Sequence, residues 1–477
     1  FLAARQRFVF EEFLVFILSL RQIKNTQDRM KNGFRFEDQP QISEFLKQLP
    51  YELTAAQLRV WDDMQKDMKS QYVMSRLVQG DVGSGKTIVA VLRLLFAGLN
   101  GYQGALMAPT EVLAMQHAAG FREMCADYGL PYQVVCLTGS MTASQKKKAY
   151  EIIATRPQIF VVGTHALIQE KVDYLNLALV VTDEQHRFGV KQRESLSKKG
   201  MTPHMLVMSA TPIPRTLAMI LYGNMQISAI HELPADRIPI KTCVIKEDLR
   251  QKAYEMIGRE LAGGHQAYII CPLVEASEQT EAENVTDYVE RIRPIFGAQV
   301  SIAALHGKMP PKEKNAIMQA FAEGKTQILV STTVVEVGVN VPNATLIMIE
   351  DANRFGLAQL HQLRGRVGRG KWQRYCVLMD KSKGKKKTDR LEVMHKSNDG
   401  FFIAQEDLRL RGPGDFFGIR QSGELGFRLA DIIGDADLLQ KASQDVADFL
   451  KEDESLENYP AIRKNLSSFT SDNNMIL

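Results

Sequence analysis

The chain has 477 residues, enough for about three compact units at roughly 150 residues each. Its 45% apolar and 24% charged residues exclude global disorder, and 59 basic against 55 acidic side chains (59 − 55 = +4) leave a polyanion partner to be decided by local clustering. Cys125, Cys136, Cys243, Cys271 and Cys376 are scattered without a Cys-x-x-Cys pair, which argues against a disulfide framework and a cysteine zinc site and suits a reducing cytosol.

The first 50 residues read as helical, with Phe8, Phe13, Phe16, Ile17 and Leu20 on an apolar face and Pro50 closing the segment. The apolar run from Phe13 to Leu20 is far short of the ~20 residues that span a bilayer, so it reads as a buried helix face. A start at Phe1 rather than Met reads as a fragment or processed product. Short aliphatic runs then alternate with longer amphipathic stretches. The first series predicts strands at Arg76–Gln79, Gly104–Pro109, Gln133–Leu137, Gln158–Val162, Leu177–Val181 and Met205–Met208. Glu232 to Pro239, with two prolines and no apolar period, reads as a linker. A second series follows at Lys241–Ile245, Gln266–Cys271, Val300–Leu305, Gln327–Ser331, Thr345–Ile349 and Arg374–Leu378. Strands separated by helical patterns predict an α/β fold of two tandem doubly wound domains, each with a parallel sheet buried on both faces. The basic run Lys381 to Lys387 separates the second domain from a distinct tail. The division expected is 1–49 as an N-terminal helical linker, 50–232 as the first domain, 233–386 as the second and 387–477 as the tail.

Gly80-Asp81-Val82-Gly83-Ser84-Gly85-Lys86-Thr87 follows a predicted strand and opens a predicted helix, the context a P-loop needs. Glycines let successive backbone N–H groups converge on phosphate oxygens, and the helix N-terminus adds a positive dipole end. Lys86 then reaches the β- and γ-phosphates while the Thr87 hydroxyl ligates Mg²⁺. The strand at Leu177–Val181 leads into Asp183 and Glu184. Asp183 suits Mg²⁺, held through water, and Glu184 suits orienting and deprotonating the attacking water.

These residues, with an ordered set of further motifs from about Leu49 onward, resemble superfamily-2 helicases and, within them, the RecG branch-migration family. That resemblance implies RecA-like domains, ATP and Mg²⁺. Leu53 to Gln57 looks like the adenine-reading motif, with the Gln57 amide facing the base edge. Thr110, Gln116 and His117, together with Thr164 and His165, resemble DNA-backbone contacts of the first domain; His306, Lys308 and Thr332 resemble those of the second. Ser209 and Thr211 resemble the motif that couples hydrolysis to domain movement through the Asp183–His186 turn. Asn340 stands where the wider superfamily usually carries Asp. The segment from Gln362 to Arg369 is the most specific second-domain element, with Arg366 and Arg369 implied as guanidinium donors to the γ-phosphate. In the tail, Gln405, Arg409, Arg411 and Gln421 belong to a helix and Gly-Pro loop similar to the translocation segment shared by RecG and the transcription-repair coupling factor.

The resemblance implies an ATP-driven translocase on duplex and branched DNA, acting at forks and Holliday junctions in recombination and repair. It implies a bacterial cytoplasmic, nucleoid-associated monomer, with single-strand-binding protein as a candidate partner. Family members carry an N-terminal wedge domain of the OB type, which residues 1–48 are too short to supply. Three alternatives stay open: a coupling-factor motor, a nucleotide-dependent binding switch without movement, and an RNA helicase.

Overall fold

Aliphatic runs of five or six residues, each followed by an amphipathic helix, bury both sheet faces only when crossover helices cover them. The computed structural model follows that logic. It describes residues 2–27, 31–169, 171–183, 202–210, 212, 218, 225–234, 237–272, 278–332, 341–367, 371–382, 389–411, 427–431, 434–453, 458–462 and 466.

The first sheet contains β1 (Ser75–Gly80), β2 (Gln103–Met107), β3 (Gln133–Leu137), β4 (Ile159–Gly163), β5 (Leu177–Thr182), β6 (His204–Ser209) and β7 (Gln226–Ile230) in the order β3-β4-β2-β5-β6-β1-β7. Every pairing in it is parallel. The second contains β8 (Lys241–Ile245), β9 (Gln266–Ile270), β10 (Ile302–Leu305), β11 (Ile328–Ser331), β12 (Ala344–Ile349) and β13 (Tyr375–Met379) in the order β10-β11-β9-β12-β13-β8, again all parallel. All six residues of β5 and all six of β12 are buried, and each fully buried Val, Leu or Ile contributes about 1.5–3 kcal/mol of transfer free energy. β7 has no counterpart among the strands read from sequence. It is a sheet-edge strand with only two of its five residues buried, so its residues lack a continuous aliphatic signal.

In the first unit, α1 (Leu2–Gln27), α2 (Pro40–Gln48), α3 (Ala55–Met68), α4 (Lys86–Leu99), α5 (Glu111–Asp127) and α6 (Ala143–Thr155) precede or alternate with the strands. The second holds α7 (Arg250–Ala262), α8 (Glu278–Phe296), α9 (Pro311–Ala322), α10 (Leu357–Arg364), α11 (Asp389–Lys396) and α12 (Gly400–Arg411), and α13 (Ala436–Glu452) lies in the tail. In α3, Thr54 caps the helix and Gln57 closes a capping box, satisfying orphan N–H groups at the first turn.

Helix α1 packs against α13, so the two ends of the chain share one small core. Phe13 and Phe16 meet Phe427 edge-on at centroid distances of 5.5 and 5.1 Å, beside Leu439, Ala442 and Val446. Arg5 is paired with Asp435 at 2.7 Å, and the Glu12 carboxylate accepts the backbone N–H groups of Arg428, Leu429 and Ala430 at 3.0, 3.1 and 2.8 Å. Phe8 departs from the apolar face expected of it. It is 54% exposed, and Val9 takes the inward position instead, because four residues, not five, return a side chain to the Phe13 face. Phe13→Ala removes a fully buried ring from this core and should cost about 3–5 kcal/mol locally. The expected result is faster hydrogen exchange along α13 with β5 unchanged; equal protection in both proteins would show that α1 does not hold α13.

Candidate nucleotide and DNA site

Strands β5, β6 and β1 are adjacent, so their C-terminal ends bring Asp183, Ser209 and the Gly80–Thr87 loop to one edge of the first sheet. That edge is where open α/β sheets bind ligands. The loop turns tightly: Gly83 and Gly85 have φ of 80° and 79°, a left-handed conformation that disfavours any residue with a Cβ. Lys86 is buried at the first position of α4, and its ammonium donates to the Gly80 and Asp81 carbonyls at 2.6 and 2.8 Å. Thr87, one residue on, is exposed. Ser84 is fully buried.

Gln57 is buried, with its amide oxygen accepting from the Thr54 N–H at 2.9 Å and its amide nitrogen donating to the Ser84 carbonyl at 2.8 Å. The side chain read as facing a base edge therefore ties α3 to the phosphate loop here. Glu232 holds the same helix start from the other side, accepting the Ala56 N–H at 2.9 Å.

Asp183 follows β5 directly, and its carboxylate lies 3.4 Å from His117 Nε2. His117, read as a DNA contact, thus stands beside the proposed metal carboxylate. The remaining candidates divide by exposure. Gln116, His165 and Lys308 are exposed, and His306 is half-buried. The Thr110 hydroxyl accepts the Leu113 N–H at 3.4 Å as the cap of α5, while Thr164 and Thr332 are buried at 3% and 1% exposure. Ser209 is buried at the end of β6. Gln405 and Arg409 sit exposed on α12, with Arg409 paired to Glu406 at 2.8 Å. Arg411 ends that helix. Glu184, His186, Thr211, Asn340, Arg369 and Gln421 lie outside the described residues.

The second unit meets the phosphate loop directly. Arg366 belongs to the short 3₁₀ turn Gly365–Val367 after α10, and a Cβ on Gly365 would come within 2.8 Å of Val82 Cγ1. Gln362 lies on the same helix. The Asp81 carboxylate accepts from Val82 N–H at 2.6 Å, from His361 Nε2 at 2.5 Å and from Gly400 N–H at 3.1 Å. Burial pushes its pKa up, but the hydrogen bond from His361 and the neighbouring Arg237 hold it below the ordinary carboxylate value. Arg364 donates to His361 Nδ1 at 3.1 Å; a guanidinium has no acceptor, so Nδ1 must accept and the proton sits on Nε2, facing Asp81. Arg364 is anchored by the Met394 and Ser397 carbonyls, both at 2.9 Å. Arg237 donates to the Val82 carbonyl.

Sequence reading gave no role to Arg237, His361 or Arg364, and took Gly400 only as the first residue of the tail segment. His361 and Arg364 had one available signal, since positions three apart share a helix face. Arg237, a single cation in a proline-rich linker, had none.

Two parallel sheets with a phosphate loop on one and an arginine turn packed against it define a helicase core. Residues 54–220 match the DEAD/DEAH box helicase family, residues 248–371 the helicase conserved C-terminal domain, and residues 397–472 the C-terminal domain 3 of ATP-dependent DNA helicase RecG. The RecG helicase of Bacillus subtilis is 47% identical over 94% of this chain and 66% of its own length; that of Streptococcus pneumoniae is 45% identical over 96% and 68%. A solved RecG bound to a three-way DNA junction aligns with TM-score 0.74 and 40% identity over 92% of this chain and 57% of that one. The chain belongs to the ATP-dependent DNA helicase RecG family. It spans about two thirds of the length of its Bacillus relative and 55% of a Synechocystis one. Among the described residues, no helix is long and apolar enough to cross a membrane.

Proposed function

We propose that this chain is the motor part of an ATP-dependent DNA translocase acting on duplex and branched DNA, forks and Holliday junctions included, in recombination and repair. The observation that carries the reading is the packing of Gly365 against Val82, which sets the arginine turn beside the phosphate loop. The RecG-specific match at residues 397–472 favours this family over the coupling factor. The proposed division is 1–49, 50–232, 233–386 and 387–477, the two middle parts carrying the two sheets.

The loop fits a triphosphate: glycines in left-handed conformations, a helix N-terminus and a buried ammonium converge there. Lys86 exchanges its two carbonyl acceptors for phosphate oxygens, which are stronger acceptors for an ammonium. Among the described residues no three His, Cys, Asp or Glu side chains form a metal cage. Thr87 would offer its hydroxyl to Mg²⁺ and Asp183 would hold the ion through water, which suits a cation that habitually keeps waters and phosphate oxygens in its shell. The bound nucleotide supplies the phosphoanhydride bond that is cleaved. Glu184 orients and deprotonates the attacking water, Arg366 and Arg369 stabilise charge on the transferred group, and Ser209, Thr211, His186 and Gln362 relay the change. Gln116, His165, His306 and Lys308 grip the DNA backbone, with Thr110, Thr164 and Thr332 contributing through their main chain because their hydroxyls are capped or buried. Gln405, Arg409, Arg411 and Gln421 act as the lever. The protein works as a monomer in the bacterial cytoplasm at the nucleoid, with single-strand-binding protein as a partner.

The test is ATP-dependent displacement of a third strand from linear duplex, with hydrolysis assayed on duplex DNA and on RNA. The expected result is displacement with stimulation by duplex DNA alone. Nucleotide-dependent binding without displacement would make the protein a switch, and stimulation by RNA would make it an RNA helicase.

A further inference from the structure

The two sheets repeat one another in more than strand order. The run β3-β4-β2-β5 of the first corresponds to β10-β11-β9-β12 of the second. Gln103 at the start of β2 donates its amide to the Ile153 and Arg156 carbonyls, both at 2.7 Å. Gln266 at the start of β9 donates in the same way to the Phe321 and Thr326 carbonyls, both at 2.6 Å. Asn176 bonds the Gly101 carbonyl at 2.8 Å, as Asn343 bonds that of Gly264 at 2.9 Å. The correspondence reaches a pair of loops. Leu137-Thr138-Gly139-Ser140-Met141 leads from β3 toward α6, and Leu305-His306-Gly307-Lys308-Met309 leads from β10 toward α9. In both, the glycine and the residue after it are exposed. Both helices carry a half-buried lysine at their fourth position, Lys146 and Lys314. Each ammonium reaches back to its own loop: Lys146 donates to the Gly139 carbonyl at 2.6 Å, and Lys314 donates to the Gly307 carbonyl.

A cation in the first turn of a helix opposes the helix dipole, so helix stability does not account for two lysines at this place. The carbonyl that each one holds does. The C=O of one residue and the N–H of the next share a planar trans peptide and point opposite ways. Turning the Gly139 carbonyl toward α6 therefore turns the Ser140 N–H the other way, where it donates to the Glu111 carboxylate at 2.8 Å. The same peptide plane in the second loop carries the N–H of Lys308. An N–H that meets a carboxylate oxygen suits a phosphate oxygen equally well. We propose that Lys146 and Lys314 are matched positioning residues, each turning one loop peptide so that its N–H faces a phosphate of the DNA backbone. Glu111 holds the first place until a strand arrives. The inference rests on the DNA-translocase reading above and adds the residues that set the shape of one grip on each unit. Neither lysine touches the DNA in it.

The test compares the wild-type chain with Lys146→Met and Lys314→Met, which remove the ammonium, and with Lys146→Arg and Lys314→Arg, which keep a donor. Lys147→Met is the control, since it removes the same charge from an exposed neighbour on α6. Duplex affinity is measured between about 50 and 200 mM salt. Each Met variant should weaken it about 5–10-fold with the salt slope unchanged, because an oriented N–H releases no counterion, whereas a lysine on a phosphate contributes about 0.9 to the slope. Hydrolysis without DNA and turnover at saturating duplex should both stay within about 2-fold, so the loss appears in the duplex concentration that gives half stimulation. The Arg variants should recover most of the affinity. Affinity within about 2-fold of wild type in either Met variant would overturn the matched pair, as would a slope lower by about 0.9 in either. So would Arg variants as weak as the Met ones, or a Lys147→Met loss of equal size at constant slope. A second readout needs no DNA: hydrogen exchange over 138–141 and 306–309 should quicken in the Met variants and not in the Arg variants. A wild-type chain that binds no duplex would count against the motor reading, and the lysines would then be judged by exchange. Unchanged exchange in either Met variant removes the pair.

Discussion

Replacing Lys86 with alanine is expected to lower ATP turnover by about 10²–10⁴-fold, the rate equivalent of roughly 3–5 kcal/mol. The size follows from where the ammonium lies. It is buried at the N-terminus of α4, held by two loop carbonyls, and the nearest acceptors of higher charge would be the phosphates themselves. A truncated side chain leaves the β- and γ-phosphates facing only backbone dipoles on the side of the loop. Those dipoles belong to the main chain of the loop and the α4 N-terminus and not to the lysine side chain, so weakened nucleotide binding should be measurable rather than lost. Hydrolysis is read by phosphate release, binding by a fluorescent nucleotide and fold by the thermal transition. Turnover within about 3-fold of wild type, in a folded variant, would remove Lys86 from the reaction.

How far the molecule could be read from its residues depends on range. The interior strands were legible because a parallel strand buried on both faces is one aliphatic run, and the edge strands β3, β8 and β10 because they keep a short apolar run; β3 and β8 match their predicted bounds, and the others differ by a residue or two at the ends. β7 was not, because an edge strand reading Gln-Ile-Ser-Ala-Ile has no such run. The phosphate loop was legible as a local spacing with one geometric purpose. Thr54 and Gln57 carry two readings on one spacing, since the pattern that suggests a base reader is also a capping-box signature, and the structure displays the box. What sequence reading could not supply were pairings set by folding alone: α1 against α13, with Arg5 and Asp435 430 residues apart, and Asp81 against His361, 280 residues apart. Nothing in either partner's neighbourhood specifies the other.

Arg366 carries the second large effect. Arg366→Ala is expected to lower kcat by about 10³–10⁵-fold, roughly 4–7 kcal/mol of barrier, while KM for ATP changes little. An interaction made chiefly as charge moves onto the transferred oxygens stabilises the transition state and not the ground state, so its loss appears in kcat. Position supports the assignment: Arg366 follows the glycine that packs on Val82, in the short turn that ends α10 beside the phosphate loop. Arg366→Lys should recover little, because an ammonium cannot reproduce the planar fork of donors that matches a phosphoryl group. Single-turnover hydrolysis with nucleotide prebound separates this from a binding defect: the variant should trap ATP and cleave it slowly. If Arg366→Ala cleaves prebound ATP at the wild-type rate, the arginine turn does not touch the reaction, and its packing against the loop serves only to hold the two units together.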